Sequence, residues 1–148
     1  MQVNIMGFLD SILKDDKPQK AAGDSKYTNP FNVTVGFSPL RLSAKRSSCV
    51  SLLVKVKNVS PDPQLVSVDA MLPKNVMMGF DQACINKVVE KRAGELKPGE
   101  SKDIAIDVWS NSQTAEGSYP VDVTVFAHYI GYDKVMSYIK KSTSLRAV

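Results

Sequence analysis

The sequence predicts an all-β fold, an antiparallel sandwich of about seven strands with a short amphipathic helix in front of it. Three observations predict it. From Phe31 onward, apolar and polar residues alternate with a period of two, as strands with one buried face do. Proline- and glycine-bearing turns separate the alternating runs. A helical period occurs only near the start of the chain.

The helix comes first. Ile5, Phe8, Leu9, Ile12 and Leu13 recur at i, i+3, i+4, i+7 and i+8, the spacing of one helical face. Asp10, Ser11, Lys14 and Asp15 fall on the other side. A helix of about ten residues is marginal alone in water, so it must pack on something. A polar stretch with Pro18 and Gly23 follows and reads as a linker. Residues 1–27 are thus predicted as helix plus linker, and residues 28–148 as the sandwich domain.

The strands follow in order. Phe31, Val33, Val35 and Phe37 form the first inward set, and Val50, Leu52, Val54 and Val56 the second. Val66, Val68, Ala70 and Leu72 form the third. Segment 76–95 is ambiguous between a long inter-sheet connection and one turn of helix, with a short strand starting at Val88 and Val89. Ile104, Ile106 and Val108 come next, then Tyr119, Val121, Val123, Val125 and Ala127, the longest alternation. A weaker strand closes the chain over residues 134–145. Between them, Asn58 to Pro63 carries two prolines, and Pro98-Gly99 suits a tight turn with positive φ at the glycine.

Composition bounds the function. With 148 residues, 43% hydrophobic and 23% charged, the chain is one globular domain that needs neither disulfides nor a metal to hold its core. No apolar run approaches the roughly 20 residues of a membrane-spanning helix. The net charge is +4, with basic residues interspersed rather than clustered, which argues against nucleic acid as the partner. Cys49 and Cys84 are too few for a disulfide framework. With His128 they would still lack a usual fourth zinc ligand. The first ten residues lack the basic n-region of a secretory signal. The expected location is the cytoplasm, with no metal and no cofactor.

Three short runs resemble a known family. Val54-Lys55-Val56-Lys57-Asn58 resembles the "V-x-V-x-N" strand of immunoglobulin-like modules of the CARDB type. Leu96-Lys97-Pro98-Gly99-Glu100-Ser101 resembles their "L-x-P-G-E-S" turn, and Gly117-Ser118-Tyr119-Pro120-Val121-Asp122-Val123 their penultimate strand. The runs occur in family order over residues 31–148. The resemblance implies an immunoglobulin-like sandwich in which the Asn closes a turn and the Tyr tethers a corner. It carries no catalytic residues.

The residues themselves supply no enzyme signature. His128 is the single histidine; by alternation it shares an outward face with Thr124 and Phe126, and it reads as a solvated strand residue. No glycine-rich phosphate loop, G-x-S-x-G or H-E-x-x-H occurs. Candidate partner contacts are Phe8, Leu9, Ile12 and Leu13 on the helix, Met77, Met78 and Phe80 in a methionine-bearing segment, and the outward Trp109 and Phe126 with Leu53. The methionine segment reads first as a loop capping the sandwich. The expected function is a non-enzymatic interaction or scaffolding module with an unidentified protein partner or a second copy of itself. The alternative is a peripheral membrane protein held by its helix, whose acidic residues suit anionic lipid poorly.

Overall fold

The computed structural model describes residues 29–148. The predicted helix and its linker lie outside the described residues. The chain forms β1 (Phe31–Ser38), β2 (Arg41–Leu42), β3 (Ser48–Asn58), β4 (Gln64–Met71), β5 (Met78–Gly79), β6 (Val88–Leu96), β7 (Ser101–Ser110), β8 (Gly117–His128) and β9 (Val135–Ala147). Two of the nine are two-residue bridges, which leaves seven full strands and no helix among the described residues.

The strands make two sheets, β1-β3-β7-β5 and β2-β9-β8-β4-β6. β3 pairs with β7, and β4 with β8 and then β9, which is the split of strands between sheets found in immunoglobulin sandwiches. β6 extends the second sheet beside β4, and β2 pairs in parallel with β9. The remaining pairings are antiparallel.

The alternation in the sequence becomes the core. Val50, Leu52, Val54 and Val56 face Val66, Val68, Val123 and Val125 across the sandwich, and all are buried. Leu42, Leu96 and Leu145 fill the space between the sheets toward its margins. β6 departs from expectation: only Ala93 and Leu96 of its nine residues are buried. It is the edge of its sheet, so charged Glu90, Lys91 and Arg92 lie open along it, which discourages another strand from pairing there.

The motif residues lock the corners. Asn58 is fully buried; its Nδ2 donates to the Leu96 carbonyl (2.9 Å) and the Asp62 carbonyl (2.8 Å). Its Oδ1 accepts from the Ser60 amide and hydroxyl. Its backbone also binds the Pro98-Gly99 turn, through the Gly99 amide at 2.7 Å and the Glu100 carbonyl at 2.9 Å. Gly99 has φ +81°, as the predicted turn requires. Tyr119 opens β8, and its hydroxyl donates to the Ala115 carbonyl at 2.6 Å, the tether called a tyrosine corner.

The ambiguous segment is an inter-sheet connection. Lys87 holds it: its ammonium donates to the carbonyls of Val76, Met78 and Cys84. Asp81 closes the bend by accepting from the Ile85 and Asn86 amides. Those amides hold the Asp81 carboxyl below the ordinary aspartate range, the Asn86 bond most.

Candidate functional site

The outer face of the five-stranded sheet carries the one polar and aromatic cluster that stands out among the described residues. Inward Val66, Val68, Val125 and Ala127 leave Ser67, Asp69, Phe126 and His128 pointing outward. Register places Ser67 beside Phe126 and Arg92, and Asp69 beside Thr124 and Glu90. Phe126 in turn pairs with Tyr138.

Two bulges shape the cluster. In β6 the register shifts so that Ala93 opposes nothing and Gly94 takes φ +82°. A bulge frees a ladder amide and bends its strand. The freed Gly94 amide donates to the Tyr132 hydroxyl at 3.0 Å. Near His128 the β8–β9 register skips Met136. The loop between these strands thereby swings back over the sheet, with Tyr132 anchored across it on β6.

His128 is therefore not a solvated strand residue. It points outward as the alternation requires, yet it is only 5% exposed, because Tyr132 covers it edge-on at 5.1 Å between ring centroids. Phe126 lies on its other side at 6.0 Å. Its Nε2 shares a 2.7 Å hydrogen bond with the Ser67 hydroxyl, and its buried Nδ1 has no partner. Ser67, Asp69, Glu90, Phe126, His128, Tyr132 and Val135 enclose a depression of about 210 Å³.

Half-buried Asp69 and exposed Glu90 supply the acidic groups of the depression. Burial, then the neighbouring Glu90 carboxylate, raise the Asp69 carboxyl above the ordinary aspartate range, with His128 acting the other way. Arg92 stacks over Tyr132 with its guanidinium 4.7 Å from the ring centroid. It reaches Glu90 at 3.7 Å in an exposed pair, a geometry worth about 0–1 kcal/mol. Among the described residues no lysine or arginine pairs with Asp69. No three His, Cys, Asp or Glu side chains among the described residues group as a metal site.

The Ser67–His128 pair has the atoms of a nucleophile and a base. Two observations oppose that use. Ser67 is 1% exposed, and no carboxylate binds Nδ1 to orient the ring as a triad requires. Sequence reading missed the pair because its members lie 61 positions apart. Each sits at an outward strand position, but only strand order brings them together.

The other expected contacts scatter. Phe8, Leu9, Ile12 and Leu13 lie outside the described residues. Met77 is exposed, but Met78 is 0% exposed and Phe80 packs half-buried against the core. Met78 thus belongs to the sandwich interior and offers no surface to a partner, because β5 hydrogen-bonds to β7 and turns its side chain inward. Trp109 is half-buried on the outer side of the four-stranded sheet, where it pairs with Cys49 and Gly79, and Leu53 is exposed on the same side. Phe126 faces the opposite way, so Trp109 and Phe126 share no surface. Cys49 and Cys84 are both free thiols.

Comparison with known proteins places the fold. No known protein-family profile matches the chain, and no curated protein matches it. Solved structures do. A FixG-related protein from Vibrio parahaemolyticus is 11% identical and matches 81% of this chain and 98% of its own, with a TM-score of 0.51. The α2-macroglobulin of Escherichia coli in its native conformation is 16% identical over 82% of this chain, with a TM-score of 0.50; this chain spans 7% of that one. The CARDB domain of a Pyrococcus furiosus protein is also among the matches, 17% identical over 86% of this chain and 100% of that one, with a TM-score of 0.46. At these identities the likeness is one of fold. The chain is an immunoglobulin-like β-sandwich.

Proposed function

We propose that the domain is a non-enzymatic protein-interaction module acting in the cytoplasm, and that it docks its partner on the outer face of the five-stranded sheet. The observation that carries this reading is the composition of that face. Tyr138, 65% exposed, packs at 6.1 Å between ring centroids against half-buried Phe126, Val135 is exposed near them, and Met71 and Val88 are exposed farther along the same face. Aromatic and methionine side chains are the types enriched where proteins meet. Asp69, Glu90 and Asp122 share the face with Arg92 and Lys140, which reach Glu90 and Asp122, so the charges are mixed and the occupant that fits is a protein segment bearing apolar residues. Two free thiols in the sandwich suit a reducing compartment.

The test is site-specific photocrosslinking in the native cell. A benzophenone side chain at Tyr138 is expected to capture one heterologous protein, and the same probe at Thr34, on the opposite sheet, is expected to miss it. Tyr138→Asp should abolish capture by a probe at Met71. Equal capture from both sheets, or capture of only a second copy of the chain, overturns the reading. So does labelling of Ser67 by a fluorophosphonate, which reports an activated serine.

A further inference from the structure

The two sheets end in four long strands, and three of those edges carry charge. β5 and β2 cover only the last residues of β7 and β9. The open part of β7 carries Lys102, Asp103 and Asp107, and that of β9 carries Lys140 and Lys141. β6 carries Glu90, Lys91 and Arg92. Charges on an edge discourage a foreign strand from pairing there. β1 borders the four-stranded sheet with eight residues, Phe31–Ser38, and none of them is charged.

The backbone of β1 has groups free to receive a strand. Asn58 commits both its amide and its carbonyl to the Pro98-Gly99 turn, so it exchanges no ladder bond with its register partner Phe31. One residue earlier, the Pro30 carbonyl does accept from the Val59 amide. Bonded and non-bonded pairs alternate along an antiparallel ladder. The amides and carbonyls of Asn32, Thr34 and Gly36 therefore face β3, and those of Phe31, Val33, Val35 and Phe37 face the open edge. Asn29 Oδ1 accepts from the Phe31 amide at 3.1 Å. The Val33, Val35 and Phe37 groups meet no strand among the described residues.

The order of side chains says what fits that edge. Phe31-Asn32-Val33-Thr34-Val35-Gly36-Phe37 reads alike in both directions apart from Asn32 and Gly36. Turned about a two-fold axis at Thr34, a second β1 lies antiparallel with its Phe37 against Phe31, its Val35 against Val33 and its Thr34 against Thr34. In this register the edge-facing backbone groups of one copy meet those of the other. Half-buried Val33 and Val35 cover each other across the new seam. A threonine pair is a favourable cross-strand contact at the axis. Asn32 comes opposite Gly36, where space for a Cβ is open. Exposed Leu40 just past the end of β1 and exposed Val59 beside its start come to the same end of the pair. A two-fold axis sets like groups against like, so an uncharged edge is the one that a second copy can share.

We infer that the chain forms a symmetric dimer by pairing β1 with β1 of a second copy, joining two four-stranded sheets into one. The inference goes beyond the docking face on the other sheet: a copy crosslinked at Thr34 is a different product from the protein expected at Tyr138.

The test is sedimentation of the full chain from about 1 µM to about 1 mM, a range that spans weak and firm pairing. A species of twice the 16.2 kDa chain mass is expected to grow with concentration. Thr34→Lys and Thr34→Glu should each weaken the dimer at least about tenfold, because each sets like charges across the axis. Mixing the two variants should restore it, which also shows that both are folded. Amide exchange at Val33, Val35 and Phe37 should slow as the dimer forms, while Thr34 and Gly36 stay unchanged. A dimer indifferent to both variants, or not restored by mixing, overturns the inference. So does a monomer at every concentration; if its Val33 and Val35 amides are already protected, residues 1–28 hold the edge instead.

Discussion

Replacing Asn58 by alanine is expected to remove more stability than its size suggests. The side chain makes four hydrogen bonds: two donated, to the Leu96 and Asp62 carbonyls, and two accepted, from the Ser60 amide and hydroxyl. A hydrogen bond contributes a net ~0.5–1.5 kcal/mol. Ser60 and Asp62 reach water once released, so their three bonds count at the low end. The Leu96 bond is buried and counts at the high end. The sum is about 3 kcal/mol, a large part of the roughly 5–15 kcal/mol that holds a domain together. For a domain of this size that corresponds to a fall in Tm of about 10–15 °C. Trp109 is the single tryptophan, so urea unfolding followed by its fluorescence reads the loss directly. Asn58→Asp should cost at least as much, because it keeps the acceptor toward Ser60 but loses both donors and brings a charge to a buried position. An Asn58→Ala loss under about 1 kcal/mol would refute the reasoning, since it would mean that the corner is held by its backbone bonds alone.

Three other outcomes are expected. Tyr119→Phe removes only the hydroxyl bond to the Ala115 carbonyl and should cost about 1 kcal/mol in the same urea assay. Gly79→Ala places a Cβ 2.5 Å from the Cys84 Cα; backbone must move, and hydrogen exchange should accelerate over residues 78–87, with a destabilisation of about 1–3 kcal/mol. Asp69→Asn should raise Tm at neutral pH. The folded Asp69 carboxyl titrates above its unfolded value, so the wild type carries no penalty below the ordinary aspartate range. It loses stability as pH rises through that range and carries the full penalty above the raised value. The gain on substitution should therefore vanish in acid; a gain that persists there, measured by calorimetry across pH, would contradict the assignment.

The sheet skeleton was legible because burial acts on one face at a time. Val50 through Val56 and Val121 through Ala127 alternate cleanly, since each strand lies between one neighbouring sheet and solvent. β6 was half hidden. Its start at Val88 and Val89 was readable, but the run Glu90-Lys91-Arg92 carries no period, because an edge strand facing water needs none. Gly99 and Tyr119 were readable because each shapes its own turn or corner, and Asn58 because its bonds to Ser60 and Asp62 are local, although its bond to Leu96 spans 38 positions. The site was not. The burial of His128 depends on Tyr132, and Tyr132 is held by an amide freed in a bulge on β6, 38 positions earlier. Neither the bulge nor the strand order leaves a periodic trace. Met78 was misplaced for a related reason: a two-residue bridge is too short to alternate, yet it turns one side chain fully inward.

The parallel pairing of β2 with β9 sets how the module transmits tension. β1 runs into β2, and β2 runs alongside β9 in the same sense, with Arg41 opposite Arg146 and Leu42 opposite Ala147. The Val148 amide donates to Leu42, and the Ala44 amide donates to Val148, so the pairing is closed on both sides. The chain thus enters the sandwich at one pole and leaves at the other. A pull between the start of β1 and the end of β9 drives β2 and β9 in opposite directions along their common axis. The bonds between them are then strained all at once in shear, rather than opened in turn as a zipper would be.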